Sequence, residues 1–142
     1  MQHTLIHTPF SWPVRVYWED TDAGGIVFYA NYLKFFERAR TEWLRSLGVH
    51  QSELKAALNG IFVVSETQIK YHHSARLDDE LLVTARLQEK GRSSLIIEQK
   101  KKKKNEQGGL LTLCEGTIRI GWVNAENLRP QRIPQQLLNV LP

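Results

Sequence analysis

The sequence predicts an α+β fold in which one long amphipathic helix packs against an antiparallel sheet. Two observations lead to this prediction. Residues 30–47 carry an apolar stripe at helical spacing, and four strand-like segments follow one another in the second half of the chain. Consecutive strands joined by short turns pair antiparallel, and a wide apolar stripe needs a broad surface to cover it.

The first predicted element is a strand over residues 14–18, where apolar and polar residues alternate and Trp18 belongs to the apolar face. A turn at residues 22–25 follows, because an aspartate and two glycines favour one. The long helix is predicted over residues 30–47, and Gly48 ends it. Its apolar stripe consists of Tyr32, Phe35, Phe36, Ala39, Trp43, Leu44 and Leu47.

The second half of the chain supplies the sheet. A short helix is predicted over residues 52–58, and a terminal helix over residues 133–141. The four strands between them are predicted over residues 62–72, 81–90, 93–100 or later, and 110–123. One face of such a sheet is covered by the long helix. The other faces solvent or a second copy, so a homo-oligomer is expected.

Length and composition predict one globular domain over residues 1–142. With 42% hydrophobic and 24% charged residues, the chain is too apolar to be largely disordered. Cys114 is the only cysteine and lies in an apolar alternating segment, so we expect it to be buried in a reducing compartment. No segment has the roughly 18 apolar residues of a membrane span. We therefore expect a cytoplasmic protein that contacts the inner membrane peripherally at most.

Residues 19–32 place two acidic residues and a glycine turn before the long helix. A calcium loop starting at Asp20 would need a bidentate glutamate at its twelfth position, which is Asn31, so this type of metal site is excluded. No Gly-Lys-Ser/Thr follows the glycines, which excludes a phosphate loop. The chain also lacks the Gly-x-Ser-x-Gly motif that would favour a Ser-His-Asp triad.

A carboxylate at the entrance of a helix remains as the candidate chemistry. Asp22 could attack an acyl carbonyl, or could remove a proton from a water that attacks it. The backbone N–H groups from Val27 to Tyr29 lie at the helix start, where they could stabilise an oxyanion. The alternative is that Asp20 or Asp22 only caps a turn, and the residue types alone favour this capping role.

The same segment resembles a known family. Residues 19–32 (Glu-Asp-Thr-Asp-Ala-Gly-Gly-Ile-Val-Phe-Tyr-Ala-Asn-Tyr) and 36–42 (Phe-Glu-Arg-Ala-Arg-Thr-Glu) resemble the 4-hydroxybenzoyl-CoA thioesterases, in particular their Tol–Pal-associated acyl-CoA thioesterase branch. The family pattern is Asp-x-Asp-x-x-Gly-x-Val-x-Tyr/His-x-x-Tyr. Its positions are occupied here by Asp20, Asp22, Gly25, Val27, Tyr29 and Tyr32.

The resemblance implies a hotdog fold, with an antiparallel sheet wrapped around one long central helix, and a homodimer or homotetramer. It implies hydrolysis of short-chain or aromatic acyl-CoA without a metal or a bound cofactor. Asp22 falls on the catalytic aspartate and Tyr29 on the backbone oxyanion donor. Gly25 and Val27 fall on motif positions assigned here to substrate binding.

CoA carries phosphates, for which the resemblance suggests a basic turn between two strands. Lys90 and Arg92 are the candidates, and an ordinary solvated hairpin is the alternative. The five lysines of residues 100–104 cannot keep an apolar face in a strand, so they are predicted to form an exposed edge or hairpin tip. Their functional alternative is attraction to an anionic membrane surface or an acyl carrier protein.

Four other functions compete with an acyl-CoA thioesterase. The first is a non-catalytic acyl-binding or scaffold protein at the membrane envelope, and the second is an acyl-acyl-carrier-protein thioesterase. A nucleic-acid binder is not favoured, because no aromatic residues are interleaved with the lysines. A hotdog dehydratase would need a histidine paired with an acid near the long helix, and residues 8–49 contain no histidine.

Overall fold

The computed structural model describes residues 9–142 and shows a five-stranded antiparallel sheet with helices, as the sequence predicts. The strands are β1 (Phe10–Arg15), β2 (Gly60–Tyr71), β3 (Glu80–Lys90), β4 (Ser94–Lys104) and β5 (Leu110–Asn124). The helices are α1 (Asn31–Ser46), α2 (Gln51–Leu58) and α3 (Gln135–Val140), and a 3₁₀ turn spans Trp18–Asp20.

The strands lie in the order β1-β3-β4-β5-β2, so β4 is central and β2 is an edge strand. Each neighbouring pair is antiparallel. Helix α1 buries the predicted stripe against the inner face of the sheet, and only Leu47, just beyond its end, stays partly exposed. Its buried residues are Tyr32, Phe35, Phe36, Ala39, Arg40, Trp43 and Leu44. No helix within residues 9–142 is both long and apolar enough to cross a membrane.

The first strand ends earlier than predicted. Val14 and Val16 are buried as expected, but Trp18 is 78% exposed because the chain enters the 3₁₀ turn after β1. An Asp20 side-chain oxygen accepts the Tyr17 N–H at 2.8 Å and stabilises this turn. The prediction that Trp18 shares the buried face was therefore wrong.

The lysine run was also predicted wrongly. It extends β4 in the centre of the sheet, and Lys101 is fully buried. The Lys103 ammonium pairs with Asp79 at 3.0 Å. A lysine can occupy a core position when its aliphatic stem packs on apolar surface and its ammonium lies over aromatic rings. Residue types alone do not reveal that such rings will be nearby.

Buried hydrogen bonds fix α1 on the sheet. The Arg40 guanidinium donates to the Gln99 side-chain oxygen at 2.9 Å. The Gln99 amide nitrogen donates to the carbonyl of Phe36 at 3.0 Å and to that of Thr84 at 3.3 Å. Because these bonds join the middle of α1 to β3 and β4, they hold the helix at a defined place over the sheet.

Candidate active site

The loop that precedes α1 is a small hairpin, and we call residues 20–29 the acidic loop. Thr21 and Val27 form a bridge, and the Asp22 N–H donates to the Ile26 carbonyl at 2.9 Å. Gly25 closes the turn with φ of +77°, a conformation that side-chain-bearing residues rarely adopt. The glycine of the motif is therefore required by the backbone of the turn.

The two aspartates of the loop have different surroundings. Asp20 is only 6% exposed, and its main-chain carbonyl accepts the Asn31 side-chain amide at 2.9 Å. Asp22 is exposed, and its Oδ1 accepts the Gly24 N–H at 2.8 Å. Its Oδ2 has no hydrogen-bond partner among residues 9–142. Capping and a chemical role are therefore compatible in Asp22, since capping uses one oxygen and leaves the other open.

The three candidate oxyanion donors also differ. The Val27 N–H donates to the Ala75 carbonyl at 2.8 Å, and the Phe28 N–H donates to the Asp20 carbonyl at 3.4 Å. The Tyr29 N–H has no acceptor in the described part of the chain. Of the donors considered from sequence, this one is available to a ligand, and it lies two residues before α1.

Aromatic rings cluster at the end of the acidic loop. The Tyr29 ring lies 4.9 Å from the Phe28 ring and 5.8 Å from the Tyr71 ring, measured between centroids. We call Phe28, Tyr29 and Tyr71 the aromatic patch, and all three side chains are exposed. Partial desolvation raises the pKa of the Tyr71 hydroxyl further above physiological pH, so the ring carries no charge. The patch gives an apolar surface at the end of the loop that also carries Asp22 and the free Tyr29 N–H.

A second candidate region lies at the turn between β3 and β4. Lys90 and Arg92 line a pocket of about 550 Å³ together with Arg132, which sequence reasoning missed. The Ile133 N–H donates to the Arg92 carbonyl at 2.8 Å and brings this distant segment to the turn. The rest of this basic pocket is formed by Gly91, Ile133, Pro134, Gln135 and Leu138.

The acidic loop and the basic pocket lie at opposite ends of the sheet. The Leu77 N–H donates to the Gly25 carbonyl at 3.1 Å, which places the acidic loop near the start of β3, whereas Lys90 ends that strand. The 11 residues of β3 span about 33 Å at 3.3 Å per step. Within one chain, the two regions are too far apart to contact one compact ligand.

Residues 9–142 contain no group of three His, Cys, Asp or Glu side chains placed to hold a metal ion. The expectation that the reaction needs neither a metal nor a bound cofactor stays a prediction.

A long helix packed against a five-stranded antiparallel sheet is the arrangement of the hotdog fold. The profile of the Thioesterase superfamily matches residues 24–109. The chain belongs to this family and is a thioester hydrolase.

Similar individual proteins belong to the same class. The chain is 39% identical over 134 residues to "Acyl-CoA thioesterase YbgC" of Haemophilus influenzae, with 94% of each chain covered. It is similar to the structure of a probable thioesterase from Bartonella henselae, with a TM-score of 0.80, 30% identity, and coverage of 89% of this chain and 100% of the other.

The 4-hydroxybenzoyl CoA thioesterase from Pseudomonas sp. strain CBS-3 gives a TM-score of 0.83 at 17% identity. The match covers 92% of this chain and 96% of the Pseudomonas chain. At this level of identity, the similarity shows the fold alone. The family and hotdog fold expected from the sequence are thereby confirmed.

Proposed function

We propose that this chain hydrolyses acyl-CoA thioesters to a free acid and CoA, with Asp22 and the Tyr29 N–H at the reacting carbonyl. The observation that carries the proposal is the Tyr29 N–H, which has no acceptor within residues 9–142 and ends the loop that presents Asp22. The Haemophilus relative is named an acyl-CoA thioesterase, which supports the same substrate class.

Two routes fit this arrangement. As a nucleophile, the Asp22 carboxylate would add to the carbonyl carbon, expel the CoA thiolate and leave a mixed anhydride that water then cleaves. As a general base, Asp22 would take a proton from the water that attacks the carbonyl. Both routes develop a negative oxygen that the Tyr29 N–H would stabilise.

The remaining motif residues act by shaping the loop in this proposal. Gly25 adopts the left-handed turn, and Val27 is buried with its N–H bonded to Ala75. The aromatic patch would contact the acyl group, because exposed rings next to the donor offer apolar surface and ring faces. Short-chain and aromatic acyl groups are therefore the proposed substrates.

We also propose a homodimer formed along the free edge of β2. Strand β2 starts at the end of the sheet that holds the basic pocket, and it ends with Tyr71 beside Tyr29. An antiparallel pairing of two β2 edges about a two-fold axis would place Tyr71 of one copy near Gly60 of the other. The acidic loop of each copy would then lie near the basic pocket of its partner.

The dimer would complete the binding site. The acyl group and thioester would lie at the acidic loop of one copy, and the CoA phosphates at Lys90, Arg92 and Arg132 of the second copy. Cationic side chains in an open pocket suit phosphate, and guanidinium groups bind it in a bidentate way. This division removes the difficulty of a site spread over both ends of one chain. A tetramer of such dimers is compatible with the same pairing.

Less of the lysine run is available to an anionic partner than the sequence suggested. Lys101 is buried, Lys103 pairs with Asp79, and Lys100 lies 4.0 Å from Glu98. An acyl carrier protein or an anionic membrane surface therefore remains a secondary proposal, and a cytoplasmic location is proposed with it. Nucleic acid is not proposed as a partner.

The test compares the wild type with Asp22→Asn across acyl-CoAs of increasing chain length and aroyl-CoAs. Asparagine retains an oxygen that can accept the Gly24 N–H, so the turn should persist while the carboxylate is lost. We expect kcat to fall by about 10³-fold or more, measured by the release of free thiol. Glu19→Gln is the matched control, since Glu19 is an exposed acid close by in the chain.

The outcomes separate the alternatives. Full activity of Asp22→Asn would overturn the site assignment. Wild-type activity on acyl carrier protein thioesters with none on acyl-CoA would identify the other thioesterase. Lack of turnover with both substrate classes, combined with acyl-CoA binding, would identify a non-catalytic acyl-binding protein.

A further inference from the structure

Lys101 is a buried cation beneath the candidate active site. Its ammonium nitrogen lies 3.0 Å from the centroid of the Tyr32 ring and 4.3 Å from that of Phe35. Within residues 9–142 it has no hydrogen-bond acceptor. Burying an unpaired ammonium is unfavourable, so the ring faces must offset part of its lost hydration.

The titratable groups that face Lys101 come from three elements. Asp20 belongs to the 3₁₀ turn, Tyr32 to α1, and Cys114 lies opposite Lys101 in the register of β5. The facing residue of β3 is Val83, which is apolar. Burial lowers the pKa of Lys101 to about 7, and electrostatic interactions with Cys114 and Asp20 oppose this shift. Burial also raises the pKa of Cys114 to about 11, so its thiol carries no charge at neutral pH.

Two of these groups also hold the acidic loop. The Tyr32 hydroxyl accepts the Ala75 N–H at 2.9 Å, and the Ala75 carbonyl accepts the Val27 N–H at 2.8 Å. The Asp20 carbonyl accepts the Phe28 N–H at 3.4 Å. Contacts from Tyr32 and Asp20 therefore fix the two N–H groups that precede the free N–H of Tyr29.

We propose that Lys101 is a positioning residue, whose ammonium holds Tyr32 and Asp20 where they direct the Tyr29 N–H toward the substrate. This inference rests on the proposed function and adds a residue to it. Lys101 does not touch the substrate and acts through Tyr32 and Asp20. Because only the protonated amine attracts ring faces and the Asp20 carboxylate, the loop should be best ordered while Lys101 is charged.

The test compares Lys101→Met with Lys102→Met. Methionine keeps the length and apolar stem of lysine without the charge, and Lys102 is the neighbouring lysine of the same strand, which is not fully buried. At about pH 6.5, we expect Lys101→Met to lower kcat about tenfold and to leave KM unchanged. A tenfold fall is the size expected from the loss of one cation–π contact. The wild type and Lys102→Met should lose activity as the pH rises through about 7, whereas Lys101→Met should not.

A second measurement does not depend on catalysis. Amide hydrogen exchange at Val27 and Ala75 reports the two bonds that link Tyr32 to the acidic loop. We expect exchange about tenfold faster in Lys101→Met, and unchanged in Lys102→Met, while global unfolding shows that Lys101→Met is at least as stable as the wild type. A more stable but less active variant would exclude simple loss of folding.

The outcomes for Lys101 and for the proposed function are separable. If the wild type hydrolyses acyl-CoA and Lys101→Met matches it in kcat, pH profile and amide exchange, the positioning role is overturned. If the wild type is inactive but exchange at Val27 and Ala75 increases in Lys101→Met, the proposed function fails and the positioning of the loop by Lys101 is supported.

Discussion

The two ends of the sheet use positive charge in opposite ways. At the acidic-loop end, Lys101 is buried under aromatic rings. At the other end, Lys90, Arg92 and Arg132 line an open pocket. A buried cation loses its hydration and shifts its pKa, so it acts on the protein around it, whereas exposed cations keep their charge and can meet an anionic ligand. The same kind of side chain can therefore position a reacting group or bind a phosphate, according to its burial.

Breaking the proposed dimer should have the largest effect on activity. In the dimer, the acidic loop of each copy works with the basic pocket of its partner. Val64 is 50% exposed near the middle of the edge strand β2. In Val64→Asp, the two-fold axis would bring two carboxylates close together, and their repulsion should separate the copies. We expect a monomer and a fall in kcat/KM of about 10³-fold or more, because the two halves of the site part.

Leu110→Asp is the matched control. Leu110 is also 50% exposed, but it begins β5, which lies inside the sheet and not at its edge. Analytical ultracentrifugation and acyl-CoA kinetics on both variants separate the effect of the edge from that of an added charge. A monomeric Val64→Asp with unchanged kcat/KM would show that each chain carries a complete site.

Removing cations from the basic pocket should have a smaller and different effect. Arg92→Ala combined with Arg132→Ala removes both guanidinium groups from the pocket. We expect KM for acyl-CoA to rise about 10- to 100-fold at low salt with kcat nearly unchanged, because these groups would hold the nucleotide and not the thioester. Arg129→Ala is the control, since Arg129 is exposed and lies outside the lining of the pocket.

The substrate provides a second check on the basic pocket. A thioester of pantetheine lacks the nucleotide and its phosphates, so the double variant and the wild type should hydrolyse it with equal KM. An equal rise in KM for both substrates would contradict phosphate binding at this pocket.

The parts of the molecule that could be predicted from sequence are those set by local patterns. The helical stripe from Tyr32 to Leu44 predicted α1 and its buried face, because spacing alone decides which side chains share a side. Gly25 marked the turn for a similar reason, since its left-handed backbone is a local requirement. Identifying the Tyr29 N–H as the free donor required the three-dimensional structure, because the hydrogen-bond partners of the Val27 and Phe28 N–H groups are set by tertiary contacts.

The failures have the same physical origin. Lys101 was assigned to the surface because its residue type favours water, and only the fold shows that Tyr32 and Phe35 enclose it. No sequence pattern links Arg132 to the basic pocket. A tertiary hydrogen bond from the Ile133 N–H to the Arg92 carbonyl brings Arg132 there. Trp18 continues the alternating pattern of a strand, but the hydrogen bond from the Tyr17 N–H to the Asp20 side chain stabilises a turn at this point of the chain.

The smallest expected effect is a pH-dependent stability difference confined to the acidic-loop end. Lys101 has a pKa of about 7 in the folded protein and the ordinary value of 10.5 when unfolded. Below about pH 7 both states hold the proton and the full penalty of the buried charge applies. Between about pH 7 and 10.5 the unfolded chain binds the extra proton, so stability should rise with pH until the penalty is lost.

Urea unfolding at about pH 7.0 and 8.5 checks this expectation. Lys101→Met should be more stable than the wild type at both values, and the difference should be smaller at the higher pH. We expect the margin to shrink by about 1–2 kcal/mol. Lys102→Met and the cations of the basic pocket should show no such change, because solvent screens them in both states. A margin independent of pH would mean that Lys101 stays protonated across this range, so that Asp20 and the ring faces stabilise its charge more strongly than burial opposes it.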